Sequence, residues 1–439
     1  MSRTILHCDL NNFYASVECL YNPAIRDKAV AVCGSQSTRH GIVLAKNYIA
    51  KKCGVLTGEP AWQAKKKCPE LVTVSPNYFL YLKFSNNAIN IYKKYTDLIE
   101  PFGIDECWLD VTESTRLFGS GNDMAHKIKN EIKEELGVTA SVGVSYNKIF
   151  AKLGSDMKKP DAVTKITMED FKTYVWPLPI RELMYVGRST EAKLKKVGIY
   201  TIGNLACTSP SFLIRQLGKW GETLWVFANG YDEMPVCKSD TEPLIKGIGN
   251  SLTTPRDLTC NEDVKILFYV LSESVALRLR KNNLKGKTVQ ITIKDSAMAC
   301  VERQAKLDLH TFISTEIAEK ANEIFKTSWN WSKNIRLLGV RVTDLVSADS
   351  YVQLSFYNDD KRVRSQLLEQ SIDKIRARFG YYSVQRALLL KDASLKANPA
   401  EENVIHPLSY FGGSGTFHSK EYPHSSDVSP FLKKHGGNL

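Results

Sequence analysis

"FGIDECWLDVT", residues 102–112, sets three carboxylates, Asp105, Glu106 and Asp110, into an aromatic and strand-prone run. Phe102, Ile104, Trp108, Leu109 and Val111 favour burial, and a carboxylate carried inward with them is costly unless a cation sits beside it. The stretch therefore reads as a core strand that starts at a charged turn. Upstream, "TILHCDL" (4–10) is a second apolar strand, closed by Asp9. "AVAVCG" (29–34), "LVTVSP" (71–76) and "TASVGVS" (139–145) complete a set of β-branched runs bounded by Gly, Pro or Asn. Between them, residues 78–98 and 122–136 carry helical periodicity, and "NKIFAKLGSDM" (147–157) opens on an Asn cap. This alternation predicts an α+β or α/β catalytic-style domain over residues 1–165.

Beyond it the pattern is helical from 178 to 235, with short helices predicted to break at Gly187, Gly198, Gly203 and Gly218. A polar connector near 236–246 leads to a second α+β unit. It contains "GNSLTTPRDLT" (249–259), a helix near 262–282, "TVQITIK" (288–294), a helix near 314–327, "IRLLGVRVTDL" (335–345) and a strand near 384–390. The last forty residues are Gly/Ser/His-rich and are expected to be mobile.

A chain of 439 residues exceeds one ordinary core, so two to four domains are expected. No apolar run reaches the roughly 18 to 20 residues that span a bilayer, and MSRTILHCDLNN lacks a signal-peptide pattern, so the simplest location is cytosolic. The ten cysteines form no CxxC pair and no zinc-spaced cluster; Cys8, Cys33 and Cys107, in apolar runs, read as reduced buried thiols. A net charge of +12 and a pI near 9.0 point to a polyanionic partner. Charge alone leaves nucleic acid, RNA–protein assemblies and anionic membrane open.

Asp9, Asp105 and Glu106 stand at strand ends. Either each caps its own turn, or the three converge on hard divalent cations through oxygen ligands. Two such ions about 4 Å apart could activate a hydroxyl and stabilise a leaving pyrophosphate. Tyr48 and Lys51 lie one helical turn apart in "NYIAKKCG", and Lys152, Lys158 and Lys159 follow "TASVGVS". Such lysines are either solvated or neutralise a bound triphosphate. "MYVGRSTEAKLKKVGIYTIGNLA" (184–206) has the outline of a helix-hairpin-helix, in which turn amides hold a DNA phosphate; a plain packing unit would look similar. Residues 275–294 hold six Lys/Arg (278, 280, 281, 285, 287 and 294) and no acid, which suits either duplex tracking or a solvated helix face.

Together, "CDLNNFYASVE" (8–18), "NYIAKKCGV" (47–55), "GIDECWLDVT" (103–112), "ASVGVSYNKIFAKLGSDMKKPD" (140–161), the helix-hairpin-helix and "SLTTPRDLT" (251–259) resemble the Y-family translesion DNA polymerases, closest to their UmuC-like branch. The motifs occur in the family's order, over residues 1 to about 395. The resemblance implies an α+β multidomain right hand. Palm would be 1–18 and 78–167, small fingers 19–77, helical thumb 168–235, linker 236–245, an α+β little finger 246–395 and a flexible tail 396–439. The implied activity is error-prone, template-directed addition of dNMP from dNTP to a primer 3′-OH during damage tolerance.

Residue by residue, Asp9, Asp105 and Glu106, with the Leu10 carbonyl, would hold two Mg²⁺ ions, with Mn²⁺ a possible substitute. Tyr14 falls at the steric gate that clashes with a ribose 2′-OH, with Phe13 beside it, and Asp110 and Ser141 would be supporting polar neighbours. Tyr48, Lys51 and Lys159 would hold the triphosphate. Lys51 replaces a commoner Arg, and "KPDA" replaces KPNG after Lys159. DNA would be met by Gly187, Arg188 and Gly198 and by Arg256, Arg278, Arg280 and Lys281. In "YVQLSFYND" (351–359), Gln353, Leu354 and Phe356 resemble a sliding-clamp-binding peptide, although an ordinary strand could give the same pattern. The implied partners are primer–template DNA, dNTP, a sliding (beta) clamp and accessory repair proteins, with no membrane. The competing readings are a catalytically inactive, clamp-tethered scaffold of the same fold and a nucleotidyl cyclase sharing the carboxylates.

Overall fold

The computed structural model describes residues 3–34, 41–238, 244–350 and 359–395. They gather into two compact units that divide before Leu244. The clamp-like Gln353, Leu354 and Phe356, and the 396–439 segment, lie outside the described residues. Among the described residues no helix is long and apolar enough to cross a membrane.

The first unit carries strands β1 (Ile5–Leu10), β2 (Val30–Cys33), β3 (Val43–Lys46), β4 (Val72–Val74), β5 (Ile99–Pro101), β6 (Glu106–Asp110), β7 (Ala140–Ser145) and β8 (Val163–Lys165). They form a five-stranded sheet, β5–β6–β1–β7–β8, and a three-stranded sheet, β3–β2–β4. Central β1 is antiparallel to both β6 and β7 and buried along its whole length, so both of its faces are covered. That explains why its sequence is a continuous apolar run rather than an alternating one. Helix Lys148–Met157 packs on the face that bears His7. It can approach so closely because β7 has a glycine there: a Cβ at Gly143 would stand 1.8 Å from the Ala151 carbonyl oxygen.

The predicted helix 78–98 ends earlier, as Tyr78–Tyr92, and the predicted 122–136 runs as Gly121–Glu131 with a π-helical turn, Ile132–Leu136, closed by Gly137 at φ +71°. The three-stranded sheet and helices Tyr48–Lys52 and Ala61–Lys67 share a shallow core of mostly small side chains, including Ala31, Ala50, Ala61, Ala64 and Cys68.

Helices Arg188–Lys196, Ile202–Ala206, Pro210–Leu217 and Lys219–Ala228 pack around Leu194, Leu205, Leu213 and Phe227, in a core continuous with Phe150 and Trp108 of the five-stranded layer. Gly203 does not break a helix as predicted. It lies inside Ile202–Ala206, where a Cβ would come within 2.9 Å of the Trp176 side chain, so its role is close packing. Glu100 and Lys148 form a buried pair, Nζ to Oε1 2.7 Å with 2% and 1% of their side chains exposed. The same groups hold the chain after the last of these helices. The Cys237 N–H donates to Glu100 Oε2 at 2.9 Å, and Lys148 Nζ reaches the Pro235 carbonyl at 3.5 Å. Removing one partner of such a pair typically costs about 3–5 kcal/mol, because the other is left charged in the interior.

The second unit is a sheet of β9 (Gly247–Leu258), β10 (Leu284–Asp295), β11 (Cys300–Thr311) and β12 (Ile335–Ser347), in the order β11–β10–β12–β9. Helices Asn261–Lys281 and Ser314–Ser328 build its core against Val289, Ile291, Leu338 and Val340. The β9–β12 register shifts between Thr253 and Leu258, around Pro255, which has no N–H to give to the ladder. Strand β11 and helix Asp359–Phe379 escape the sequence reading because both are rich in charge. The strand predicted near 384–390 is instead an irregular segment leading into a 3-10 turn, Ala387–Leu390, that buries Leu389.

Candidate active site

The β1–β6 register sets Asp9 directly opposite Glu106, and the Leu10 N–H donates to the Asp105 carbonyl at 3.0 Å. Three carboxylates and the Leu10 backbone thus meet at adjoining ends of two central strands. Like charges directly opposite each other in a sheet repel, so this pairing requires compensation. Lys159 Nζ lies 2.7 Å from Asp9 Oδ2, and Lys152 Nζ lies 2.5 Å from Glu106 Oε2. Asp156 links the two ammonium groups, 2.9 Å from Lys159 and 3.7 Å from Lys152.

The carboxylates are not equivalent. Burial lifts Asp105 to about 7, aided by the charges of Glu106 and Asp9. Burial likewise lifts Asp9 to about 6 despite Lys159. Burial also acts to raise Glu106, but the His7 ring and Lys152 outweigh it and hold this carboxylate well below its usual range. His7 is itself pushed down to about 4 by burial and by Lys152, so its ring is neutral near pH 7. Its Nδ1 pairs with Ser155 Oγ at 2.8 Å, while Nε2 stands 3.6 Å from Glu106 Oε2.

Asp9 and Asp105, buried beside like charge, retain protons readily, and a nearby positive charge would ionise them. No cation among the described residues ion-pairs with Asp105, and the available donors are all oxygen. This donor set fits a hard divalent cation. Among the described residues no three ligating side chains already converge on one point, because Asp9 and Glu106 are each drawn to a lysine. The two ammonium groups supply the charge that a cation would bring.

Tyr14 follows on helix Phe13–Tyr21. Its ring stacks on Tyr81 at 4.2 Å and 10°, and the Tyr81 hydroxyl is fixed by Glu18 at 2.5 Å. Phe13 is buried behind it. Tyr48 opens its helix after Asn47, whose side chain accepts from Ala50 N and from Val30 N and donates to Lys28 O, anchoring that helix to the small sheet. Burial raises the Tyr48 hydroxyl, with Lys159 and Asp9 close enough to act on it, and Lys51 is exposed one turn on. Tyr14, Tyr48 and Lys159 therefore sit around the carboxylates, while Lys51 lies over the Tyr48 ring, at 5.8 Å. Lys158 is exposed at the cap of helix Lys148–Met157.

Asp110 is not a neighbour of this cluster. It pairs with Ile5 at the far end of β6, roughly 13 Å away at about 3.3 Å per residue, and accepts from Thr112. Ser141 does belong: it lies opposite Asp9 on β7 and accepts from Asn11 Nδ2 at 2.9 Å. Sequence reading missed Asn11, whose Oδ1 also receives Thr139 Oγ1 and the Asp161 N–H, as well as His7, Asp156 and Tyr81. Strand alternation carried one signal, since residues 7 and 9 share a face. The spacing of Lys152 and Asp156, one helical turn apart, carried another.

The expected DNA contacts divide. Gly187 and Arg188 begin helix Arg188–Lys196 in the open, and Gly198 at φ +81° turns the chain after it with nothing within 4 Å of an added Cβ. In the second unit the structure spends three of the four arginine and lysine candidates on the fold itself. Arg256 pairs with Asp263 (2.7 Å) and Asp392 (2.6 Å), Arg280 with Asp373 (2.6 Å) and Glu369 (3.0 Å), and Arg278 donates to the Gly249 carbonyl. Only Lys281 of the four is exposed. Basic composition marked that helix, but its length is buried against the sheet, so its arginines meet acids and carbonyls instead of solvent. Strand alternation turns Gln290, Thr292, Lys294, Arg341, Gly249 and Ser251 to the sheet face away from the helices.

Residues 8–156 match the impB/mucB/samB family, residues 169–199 the IMS family HHH motif, and residues 245–356 the impB/mucB/samB C-terminal domain. A protein of Acetivibrio thermocellus named DNA polymerase IV is 65% identical over 90% of this chain and 99% of its own length. One of Bacillus subtilis named DNA polymerase IV 1 is 36% identical over 92% and 97%. Among solved structures, a Y-family DNA polymerase chimera is similar with a TM-score of 0.68 and 26% identity, covering 78% of this chain and 99% of the other.

If a divalent cation binds at this cluster and displaces Lys159 from Asp9, Mg²⁺ or Mn²⁺ should raise the melting temperature of the protein. At about 100 times Kd the linkage is worth about 2.7 kcal/mol. The Asp9→Ala/Asp105→Ala variant should show less than a third of the shift; equal shifts in both proteins would remove the cation from these carboxylates.

Proposed function

Because the chain belongs to the impB/mucB/samB family, the Y-family DNA polymerases, we propose how its residues divide the work of template-directed translesion synthesis. The protein is a DNA-directed DNA polymerase of the translesion type, acting on primer–template DNA and dNTP, and it depends on divalent metal. The observation that carries this is the 65% identity across nearly the whole of a DNA polymerase IV, with Asp9, Asp105 and Glu106 assembled at one sheet end. A scaffold that had lost catalysis would have no reason to keep that costly charge together.

In this reading the five-stranded layer is the palm, the three-stranded layer the fingers, the helices of 168–235 the thumb and the second unit the little finger. Asp9, Asp105, Glu106 and the Leu10 carbonyl hold two Mg²⁺ ions, or Mn²⁺ in their place. When bound, the ions supply Lewis-acid charge that favours ionisation of the primer 3′-hydroxyl and neutralises the departing pyrophosphate. The chain's own residues do the rest. Lys159 leaves Asp9 for the triphosphate and joins Tyr48 and Lys51 there. Lys152 stays on Glu106 and, with the neutral His7, keeps that carboxylate ionised. Asn11 ties the turn after β1 to Ser141, Thr139 and Asp161, so the carboxylate end of the strand does not shift as substrate enters. Tyr14, clamped on Tyr81 and backed by Phe13, forms a plate beneath the sugar. Lys51 offers a point charge without a guanidinium fork, so the triphosphate is oriented less strictly. Small fingers with a shallow core select weakly by shape, which suits damaged templates.

DNA phosphates are held at Gly187, Arg188 and Gly198 of the thumb. In the little finger the sheet face of Arg341 and Lys294, turned away from the helices, replaces the helix arginines as the backbone-tracking surface. Gln353, Leu354 and Phe356 would dock a sliding clamp as short apolar anchors. The reading as a cytoplasmic, DNA-associated protein, working with accessory repair factors, rests on the activity alone.

Primer extension on undamaged and abasic templates tests the assignment of the site. Mg²⁺-dependent extension by wild type should fall at least 1,000-fold (roughly 4 kcal/mol in barrier) in Asp105→Ala/Glu106→Ala, and Tyr14→Ala should incorporate ribonucleotides more readily. Residual activity in the double variant near that of wild type would sink the carboxylate assignment. For the duplex surface, Arg341→Ala should weaken DNA binding uniformly across sequences and lower the salt slope by about 1; an unaltered slope would clear Arg341 of phosphate contact. For the clamp peptide, replacing Gln353, Leu354 and Phe356 by Ala should abolish co-elution with a bacterial sliding clamp, and retained co-elution would refute it.

A further inference from the structure

A cleft of about 270 Å³, open to solvent, lies beside the residues assigned to the triphosphate; Asn12, Ser16, Arg26, Asn47, Tyr48 and Pro160 line it. Its palm wall is the face of helix Phe13–Tyr21 that carries small side chains, and its opposite wall is the start of helix Tyr48–Lys52. The floor is fixed: Ser16 Oγ donates to the Asn11 carbonyl at 2.7 Å, and the Asp161 N–H donates to Asn11 Oδ1 at 2.9 Å. The inner end is Tyr48 and Pro160, the latter adjoining Lys159, which itself reaches Asp9.

The outer end carries Arg26, exposed just after the 3-10 turn Pro23–Ile25. Among the described residues no carboxylate or carbonyl pairs with its guanidinium. Its charge still acts on the Cys19 thiol in the cleft wall. Two other cations of this region are already committed, since Lys129 and Lys133 both bind Asp161 at 2.8 Å. An arginine with no ion-pair partner among the described residues, in the wall of an open cleft that also holds Tyr48, is placed to take up a small, multiply charged anion.

We infer that this cleft is the route by which pyrophosphate leaves, and that Arg26 is the cation that receives it. The inference rests on the assignment of Tyr48 and Lys159 to the triphosphate. In the forward reaction the primer 3′-hydroxyl loses its proton to water and its oxygen bonds to the α-phosphorus while the bond to the bridging oxygen breaks, and that oxygen departs with the β- and γ-phosphates. Nothing further is consumed. The product starts at Lys159 and Tyr48, and a second cation farther along an open channel lowers the barrier to its departure by offering a partner before full solvation. By the same contact Arg26 assists pyrophosphate entering for the reverse reaction.

The test is product inhibition of primer extension by inorganic pyrophosphate. Arg26→Ala should raise the pyrophosphate inhibition constant five- to tenfold, with a smaller change in the KM for dNTP, and Arg26→Lys should restore most of the difference. Ile49→Trp, which narrows the cleft from its exposed edge, should keep the first-turnover burst and slow the steady-state rate several-fold. An unchanged inhibition constant in Arg26→Ala overturns the inference, as does an Ile49→Trp variant with unaltered steady-state rate. If instead wild type extends primers but Lys159→Ala leaves the KM for dNTP unaltered, the triphosphate assignment falls and this inference falls with it.

Discussion

Two carboxylates placed opposite each other on neighbouring strands are the constraint around which the first unit is organised. The β1–β6 ladder forces Asp9 and Glu106 together, and left alone that pair would repel. The positive charge that offsets it comes from one short helix and the turn after it. Lys152 arrives from Lys148–Met157 and Lys159 from just beyond. For Lys152 to reach Glu106 the helix must lie almost on the sheet, which is why β7 carries Gly143 beneath Ala151. Register, glycine placement and lysine spacing are thus consequences of one electrostatic demand.

Much of this could be read in the sequence. β1, β2, β4, β6 and β7 fall in apolar, strand-prone runs of the sequence, and their order, with Asp9, Asp105 and Glu106 at the ends, is legible there. Which strands adjoin was not, because pairing between residues 9 and 106 is set by tertiary packing across nearly a hundred residues of chain. Charged elements were the hardest to see. Strand β11 faces solvent with Glu302, Arg303 and Lys306, and helix Asp359–Phe379 has little apolar periodicity, so neither shows the pattern that marks buried elements.

The same blindness explains the arginines of the second unit. Charge runs show how much positive charge a segment carries, but not whether it faces outward. Arg280 lies in a basic stretch and Arg256 in the SLTTPRDLT motif, yet acids far away in sequence, Asp373 and Asp392, claim them. Asp110 fails for the opposite reason: it shares a strand with Glu106 but stands at its other end, beside Thr112. Resemblance located motifs well, and only the three-dimensional contacts separated the side chains that are free to act from those that hold the fold.

Helix Lys148–Met157 also connects the five-stranded layer to the chain leaving the helical layer. Lys148 moors the chain leaving the helical layer, Lys152 neutralises Glu106, and Asp156 bridges to Lys159, at successive steps of four residues. Each residue turns the helix by about 100°, so loss or gain of a single one would swing all three groups away from their partners together. The segment therefore has a reading frame of its own, in which conservative substitution is a lesser offence than a change of length, and the anchoring of the chain after the helical layer and the charge beside Asp9 and Glu106 are inherited as one trait.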